Sequence, residues 1–384
     1  MSERKKVKLG DLYEVHNGLS KGRQFFGTGF PFLTFSNVFN NWFLPEELES
    51  LVQTTDKERE ACSIKAGDVF ITRTSETMDE LGMSSVALKD YPNATYNGFT
   101  KRLRPITNRV NPRYIGYYLR TPKFRGQFMA FSTMTTRASL ANNDLLNMEV
   151  ELPSMEIQHR IATILSRYDS LIENYQKQIK LLEEAAQRLY KKWFIDLHFP
   201  RHENTNIIDG VPEGWEKKKV GDITPIITGK KDANFGTPDG EYPFFTCSQE
   251  PIKAPSFSFD CAAVLLAGNG DFNVKLYRGR FEAYQRTYVL SPYIDSHLYL
   301  LFYTISANMT KLAAGSSGST IKFLTKGMID GINLNVPNDE ILRSFNKKVE
   351  PIQSSRESLQ SQLRLLTEAR DRLLPKLMSG EITI

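Results

Sequence analysis

Met148-Glu149-Val150-Glu151-Leu152-Pro153 and Ile332-Asn333-Leu334-Asn335-Val336-Pro337 are one phrase written twice, 184 residues apart. The offset still holds from Leu181-Leu182-Glu183-Glu184-Ala185 to Leu365-Leu366-Thr367-Glu368-Ala369, so a strand, a proline and a long helical stretch occur twice in the chain of 384 residues. Upstream, Leu9-Gly10-Asp11-Leu12 returns as Val220-Gly221-Asp222-Ile223 at offset 211, and Phe30-Pro31-Phe32-Leu33-Thr34 as Tyr242-Pro243-Phe244-Phe245-Thr246 at offset 212. Between these anchors the offset falls: Val69-Phe70-Ile71 faces Val264-Leu265-Leu266, and Thr100 to Pro105 faces Thr287 to Pro292. Two copies therefore share a scaffold and differ in their loops, where length variation is tolerated and where binding specificity resides.

Residues 1–153 and 215–337 carry short Val-, Phe-, Tyr- and Thr-rich runs broken by Gly, Pro and Asn, the pattern of strands and turns with a few short helices. After each proline the period changes. Ile161, Leu165, Tyr168, Ile172, Tyr175, Ile179, Leu182, Ala186, Leu189 and Trp193 alternate spacings of four and three, an apolar heptad seam. The equivalent seam runs Phe345, Val349, Ile352, Arg356, Leu359, Leu363, Leu366, Arg370, Leu373 and Leu377, interrupted only by two arginines. The spacing predicts a first helix within 154–196, a linker over 197–214 and a second helix with a tail over 338–384. Because the short linker leads from the end of the first helix into the globule from which the second starts, the helices are expected to pair antiparallel. The fold class is thus α+β, two globules joined by two long antiparallel coiled-coil helices, with an internal pseudo-two-fold repeat.

The bulk properties leave the function open. Lys+Arg 49 against Asp+Glu 44 gives a formal charge of +5, which permits nucleic-acid binding without demanding it. Cys62, Cys247 and Cys261 are isolated, with no C-x-x-C pair, as expected of a reducing compartment and of a chain with no structural zinc. No apolar run approaches a bilayer span and Met1-Ser-Glu-Arg-Lys-Lys lacks a signal core, so a cytoplasmic protein without membrane attachment is expected. A duplicated reader suits a two-fold partner, and double-stranded DNA is the commonest one.

Three phrases then carry a family resemblance. Lys192-Trp193-Phe194-Ile195-Asp196 is followed by Phe199-Pro200; Val211-Pro212-Glu213-Gly214-Trp215 precedes the second Val220-Gly221-Asp222-Ile223; and the chain closes on Leu374-Pro375-Lys376-Leu377-Met378-Ser379-Gly380-Glu381-Ile382. In this order, with the duplicated layout, the chain resembles the specificity (S) subunits of type I restriction–modification systems over nearly its whole length. The first copy departs from the pattern in having only Arg4-Lys5-Lys6-Val7-Lys8 before Leu9. The resemblance implies a non-catalytic reader with two target-recognition domains. It would hold two methyltransferase (M) subunits and recruit restriction (R) subunits, and S-adenosylmethionine, ATP and Mg would be bound by those partners, with no cofactor in this chain.

Motifs for in-chain catalysis fail on context. Phe26-Gly27-Thr28-Gly29 resembles the cofactor loop of adenine methyltransferases but follows polar Lys21-Gly-Arg-Gln24 and runs into Phe30-Pro31 where a helix should open. Asn111-Pro112-Arg113-Tyr114 lacks the second proline of their catalytic loop and reads as a helix start. Gly229-Lys230-Lys231 lacks the remainder of a Walker loop, and His198 and His202 are separated by Pro200.

DNA recognition needs phosphate donors and a few side chains long enough to reach base edges, placed on loops. Four loop regions recur in both copies. They are Lys21 and Arg23 after Gly18, with Lys230 and Lys231 after Gly229; Arg73 and Thr74 after one central strand, with Asn269 after the other; Lys101, with Arg278, Arg280 and Arg286; and Arg137 and Ser139, with Thr320 and Lys322. Arginine binds guanine O6 and N7 with two hydrogen bonds, which singles out Arg73, Arg137 and Arg286, with Lys322 beside them. The expected target is bipartite with unlike halves. The competing expectation is a non-catalytic coiled-coil scaffold whose globules bind protein.

Overall fold

The computed structural model describes residues 4–75, 81–131, 133, 134, 138–316 and 322–384. The chain divides into two compact units, Met1–Asn174 with Gln362–Ile384, and Tyr175–Ser361. Each long helix contributes to both units. The first is α-helical over Met155–Tyr190 and ends in a π turn, Lys191–Ile195; the second is a single helix, Asp339–Ser379. Among the described residues no helix is long and apolar enough to cross a membrane.

The repeat read from the sequence reappears as strand register. Lys5–Lys8 pairs antiparallel with Glu149–Leu152, Lys5 facing Leu152 and Lys8 facing Glu149. Glu216–Lys219 pairs antiparallel with Asn333–Val336, Glu216 facing Val336 and Lys219 facing Asn333, so both offsets, 211 and 184, are kept residue for residue. The hydrogen bond after each pair also repeats, Leu9 N–H to Met148 O and Val220 N–H to Ile332 O, both 2.9 Å. The basic lead is thus structural: Lys5–Lys8 is the strand, Lys6 pairs with Glu149, and Arg4 just before it donates to the carbonyls of Leu377 and Met378 at the end of the second helix. Each globule is closed by its first and last strands, at the root of a long helix.

Within each globule a central strand, Val69–Thr72 or Phe259–Ala267, is buried on both faces, in the second from Ala263 onward. The two-residue alternation sends Val69 and Ile71 to the core shared with the long helices and Phe70 to a second cluster with Leu33, Val38 and Tyr96. Val264 and Leu266 divide from Ala263 and Leu265 in the same way. The neighbouring strand repeats its register as well, Val69 facing Leu103 and Val264 facing Leu290. A parallel pairing, Phe32 with Thr95 and Phe244 with Glu282, completes the common scaffold. A helix then covers the inner face. In the first globule it is Pro112–Tyr118, started by Asn111, whose side chain accepts from the amides of Arg113 and Tyr114; in the second it is the longer Leu298–Gly315.

The long helices run antiparallel in both units. In the first, Ile161 and Leu165 share a core with Leu374, Leu377 and Met378. In the second, Ala186, Tyr190 and Trp193 share one with Phe345 and Val349. Two of the three family phrases form the foot of this second core, where Phe194 meets Phe345 edge-on at 4.8 Å and Phe199 lies 4.7 Å from Trp215, while the third, from Leu374, belongs to the first core. The two arginines that interrupt the apolar seam find carboxylates on the other helix, Arg370 on Asp169 at 2.9 Å and Arg356 on Glu183 at 3.1 Å. The pairs are fourteen residues apart along either helix, two heptads, so one antiparallel register satisfies both.

Phe345 is fully buried whereas Leu365, on the same helix, is 58% exposed. Phe345→Ala is therefore expected to cost about 3–5 kcal/mol, and Leu365→Ala less than about 0.5 kcal/mol, measured as shifts of the urea midpoint.

Candidate nucleic-acid interface

The four loop regions chosen from the sequence are joined by backbone hydrogen bonds in each globule. In the first, the loop after Gly18 is tied to the segment entering Phe99: Leu19 donates to Tyr96 O and Gly98 donates to Leu19 O. Arg73 N–H donates to Phe99 O at 3.0 Å, and Arg73 O accepts from Leu140 N–H at 3.1 Å. One residue on, Thr74 pairs with Ser139 in a short antiparallel ladder.

The second globule repeats the arrangement. Gln285 N–H donates to Lys231 O, Gly268 N–H to Arg286 O at 2.8 Å, and Leu324 N–H to Gly268 O at 2.8 Å. Asn269 bridges antiparallel to Phe323. Residues 73, 99 and 140 thus correspond to 268, 286 and 324, at three different sequence offsets that meet at one point. The glycines that start the first loops are required there: a Cβ on Gly18 would lie 2.2 Å from Asn97 O, and one on Gly229 would lie 1.8 Å from Ala283 O.

Around these nodes the basic side chains fall into two groups. Lys21, Arg278 and Arg280 are held by the fold. Lys21 donates to Glu58 and to Gln53 O, both at 2.8 Å. Arg278 donates to the Tyr299 hydroxyl at 2.8 Å and lies 3.8 Å from Glu350 of the second long helix, and Arg280 pairs with Asp260 at 3.1 Å. Lys101 departs most from a loop donor. It lies in the strand Thr100–Pro105, it is buried, and its ammonium rests on Asn142. Burial, and then the nearby Arg73, hold its pKa below the usual lysine range.

The other group is open. Arg23, Lys230, Arg286 and Lys322 are exposed, and Arg73 and Asn269 are half-buried. Among the described residues none of the five cations has a carboxylate partner; the Nε of Arg73 is itself buried and has no acceptor among them. Lys231 lies over the Phe235 ring at 4.3 Å. Arg137 and Thr320 lie outside the described residues.

The sequence grouping of Lys101 with Arg278, Arg280 and Arg286 is only partly kept by the fold. Only the end of residues 278–286 is equivalent, since Tyr288 takes the strand position of Lys101, each paired with the matching residue of the central strand. Arg278 and Arg280 sit on an earlier strand, Val274–Ala283.

Two features were missed. Lys275 is drawn into the second site, donating to Ser248 O at 2.8 Å and contacting Asn273, with burial holding its pKa down. Phe99 and Phe323 expose aromatic rings at the nodes, 53% and 39% accessible. Each node thereby offers one arginine and one exposed ring, Arg73 with Phe99 and Arg286 with Phe323, a combination suited to base edges and thymine methyl groups. The only sequence sign of the rings was their position within the aligned loops.

Residues 1–184 and 212–355 match the family described as type I restriction modification DNA specificity domain. The chain belongs to this family. The EcoDI specificity subunit of Escherichia coli is 36% identical over 177 residues, 45% of this chain and 40% of that protein. The MjaIX specificity subunit of Methanocaldococcus jannaschii is 26% identical over an alignment covering 98% of this chain and 93% of that protein. Among solved structures, the type I restriction–modification S subunit from M. genitalium shares the fold, with a TM-score of 0.65 at 15% identity over 98% of this chain and 96% of that one. The family thus accounts for both copies of the repeat.

The Lys21–Glu58 pair gives a direct check on the sorting of cations. Lys21, and next the Thr55 amide, hold Glu58 down to about 2. Since the folded value lies below the unfolded one, this stabilisation is complete above the ordinary carboxylate range and is lost as pH falls toward 2. Lys21→Met is expected to move the Glu58 titration upward toward its ordinary value of 4.5, read by carboxyl NMR.

Proposed function

We propose that the chain is the sequence reader of a type I restriction–modification complex, each globule contacting one half of an asymmetric, bipartite DNA target. The observation that carries this reading is the repeated node, where four loops meet and where cations lack carboxylate partners among the described residues while structural cations nearby have them. Unpaired, accessible cations are available for phosphates and base acceptors, the two kinds of contact that position a reader and specify sequence. The differing side chains of the two nodes support unlike half-sites.

In this reading the long helices set the separation of the half-sites. At 1.5 Å per residue about 35 residues span roughly 50 Å, which bounds the distance at about fifteen base pairs. The outer faces of the helices dock two methyltransferase subunits, and restriction subunits join that assembly. Methyl transfer from S-adenosylmethionine, and cleavage driven by ATP with Mg, are assigned to those partners.

Arg286→Ala combined with Lys322→Ala, assembled with the methyltransferase subunits, is the test. Methylome sequencing is expected to show relaxed preference in one half of the target only, with discrimination falling roughly 5- to 150-fold for each base left unread. A change in both halves, or in neither, refutes the two-reader mechanism. The logarithm of affinity against the logarithm of salt should also flatten by about one for each phosphate that is no longer neutralised.

A further inference from the structure

The two seam arginines do more than pair helices. Arg370 is bonded to Asp169 across the seam, and its guanidinium also stands 5.4 Å from the centre of the Trp42 ring in the first globule. Asp169 in turn accepts the hydroxyl of Tyr117, whose ring packs on Trp42 at 5.7 Å and on Phe43 at 5.2 Å. Trp42 is held on its own side by Arg120, which lies 5.6 Å from it and donates to the carbonyls of Val38, Phe39, Asn41 and Ser84. First helix, second helix and globule therefore meet at one guanidinium.

Arg356 occupies the same kind of joint in the other unit. It pairs with Glu183 of the first helix and stands 5.8 Å from the ring of Phe302 in the helix Leu298–Gly315. The residue after Phe302, Tyr303, accepts a hydrogen bond from Gln353, one turn before Arg356. The Nε of Arg356 is buried with no acceptor among the described residues.

Helix pairing alone does not call for this arrangement. A leucine at either position would continue the seam, and replacing a desolvated ion pair with apolar side chains is often neutral or stabilising. What an arginine adds is direction: a planar guanidinium with one N–H on the carboxylate of the other helix and, at the same time, a flat face toward a ring of the globule, Arg370 being held further by its own neighbour Asp371.

We infer that Arg356 and Arg370 are positioning residues for DNA specificity, each holding its globule at a fixed angle to the helix pair and so fixing the gap between the half-sites. The inference rests on the bipartite reading proposed above. It assigns the gap to these two joints as well as to helix length.

The test uses Arg370→Leu with Asp169→Asn, which removes the joint while leaving Tyr117 an acceptor, and in parallel Arg356→Leu with Glu183→Gln. With the methyltransferase subunits present, both half-site sequences should stay as in the wild type. Wild-type methylation should fall by about tenfold or more when the gap changes by one base pair, and the variants should fall by about threefold or less. Independently of DNA, spin labels at the exposed positions Ile106 and Leu365, both in the first unit and both 58% accessible, should give a broader distance distribution in the Arg370 variant. An unchanged distribution overturns the joint itself. A broadened distribution with unchanged gap preference overturns its role in specificity, and a wild type indifferent to the gap overturns the bipartite reading and this inference with it.

Discussion

Antiparallel pairing of the two apolar seams is the constraint on which the remaining structure depends. Each compact unit takes its helical layer from both helices, so neither core is complete on one copy of the repeat. The first core needs Leu374, Leu377 and Met378, and the second needs Ala186, Tyr190 and Trp193, residues that belong to the other copy. Apolar surface alone would tolerate sliding by a heptad. Two charged pairs at matching fourteen-residue spacing favour one register, because a slip of one heptad would break both the Arg370–Asp169 and the Arg356–Glu183 contacts between the helices.

Above this frame, charge divides the side chains by role. Cations that secure the fold are answered within it: Lys21 by Glu58, Arg104 by the buried Asp68 at 2.7 Å, Arg278 by Tyr299 and Glu350. Cations at the loop nodes are not answered among the described residues. A scaffold for protein partners would have no comparable need for an arginine without a carboxylate partner, among the described residues, at the node of each globule, Arg73 in one and Arg286 in the other.

The sequence disclosed the architecture well because duplication is itself a measurement. Offsets of 211, 195, 187 and 184 between matching phrases correspond to strand registers that recur residue for residue, and Asn111-Pro112 was legible as a helix start because a short polar side chain can cap the first amides. The site was legible at the level of loops and much less at the level of residues. Lys21, Lys101 and Arg278 have loop-like neighbours in sequence, but their partners Glu58, Asn142 and Glu350 lie 37, 41 and 72 residues away. Only tertiary structure shows that those charges are occupied. Lys275 was overlooked for the opposite reason, since a strand lysine looks like solvent-facing surface until Ser248 is folded against it. The meaning of Arg356 and Arg370, apparent faults in the heptad, depended likewise on carboxylates and rings that the local pattern does not display.

The division into units, with the last residues of the chain completing the first, also sets a timetable. A ribosome finishes the first globule and its helix long before the second helix exists, and about 150 residues separate Tyr190 from Asp339. At roughly 5–20 residues per second, the first seam waits on the order of ten to thirty seconds with Ile161, Leu165, Tyr190 and Trp193 lacking their partners. The second unit needs residues only as far as Ser361, while the first must wait for Gln362–Ile384. Of the two units, the one made first is therefore the one finished last, and the nascent chain is most exposed to misassociation through the surface that later enters the two shared cores.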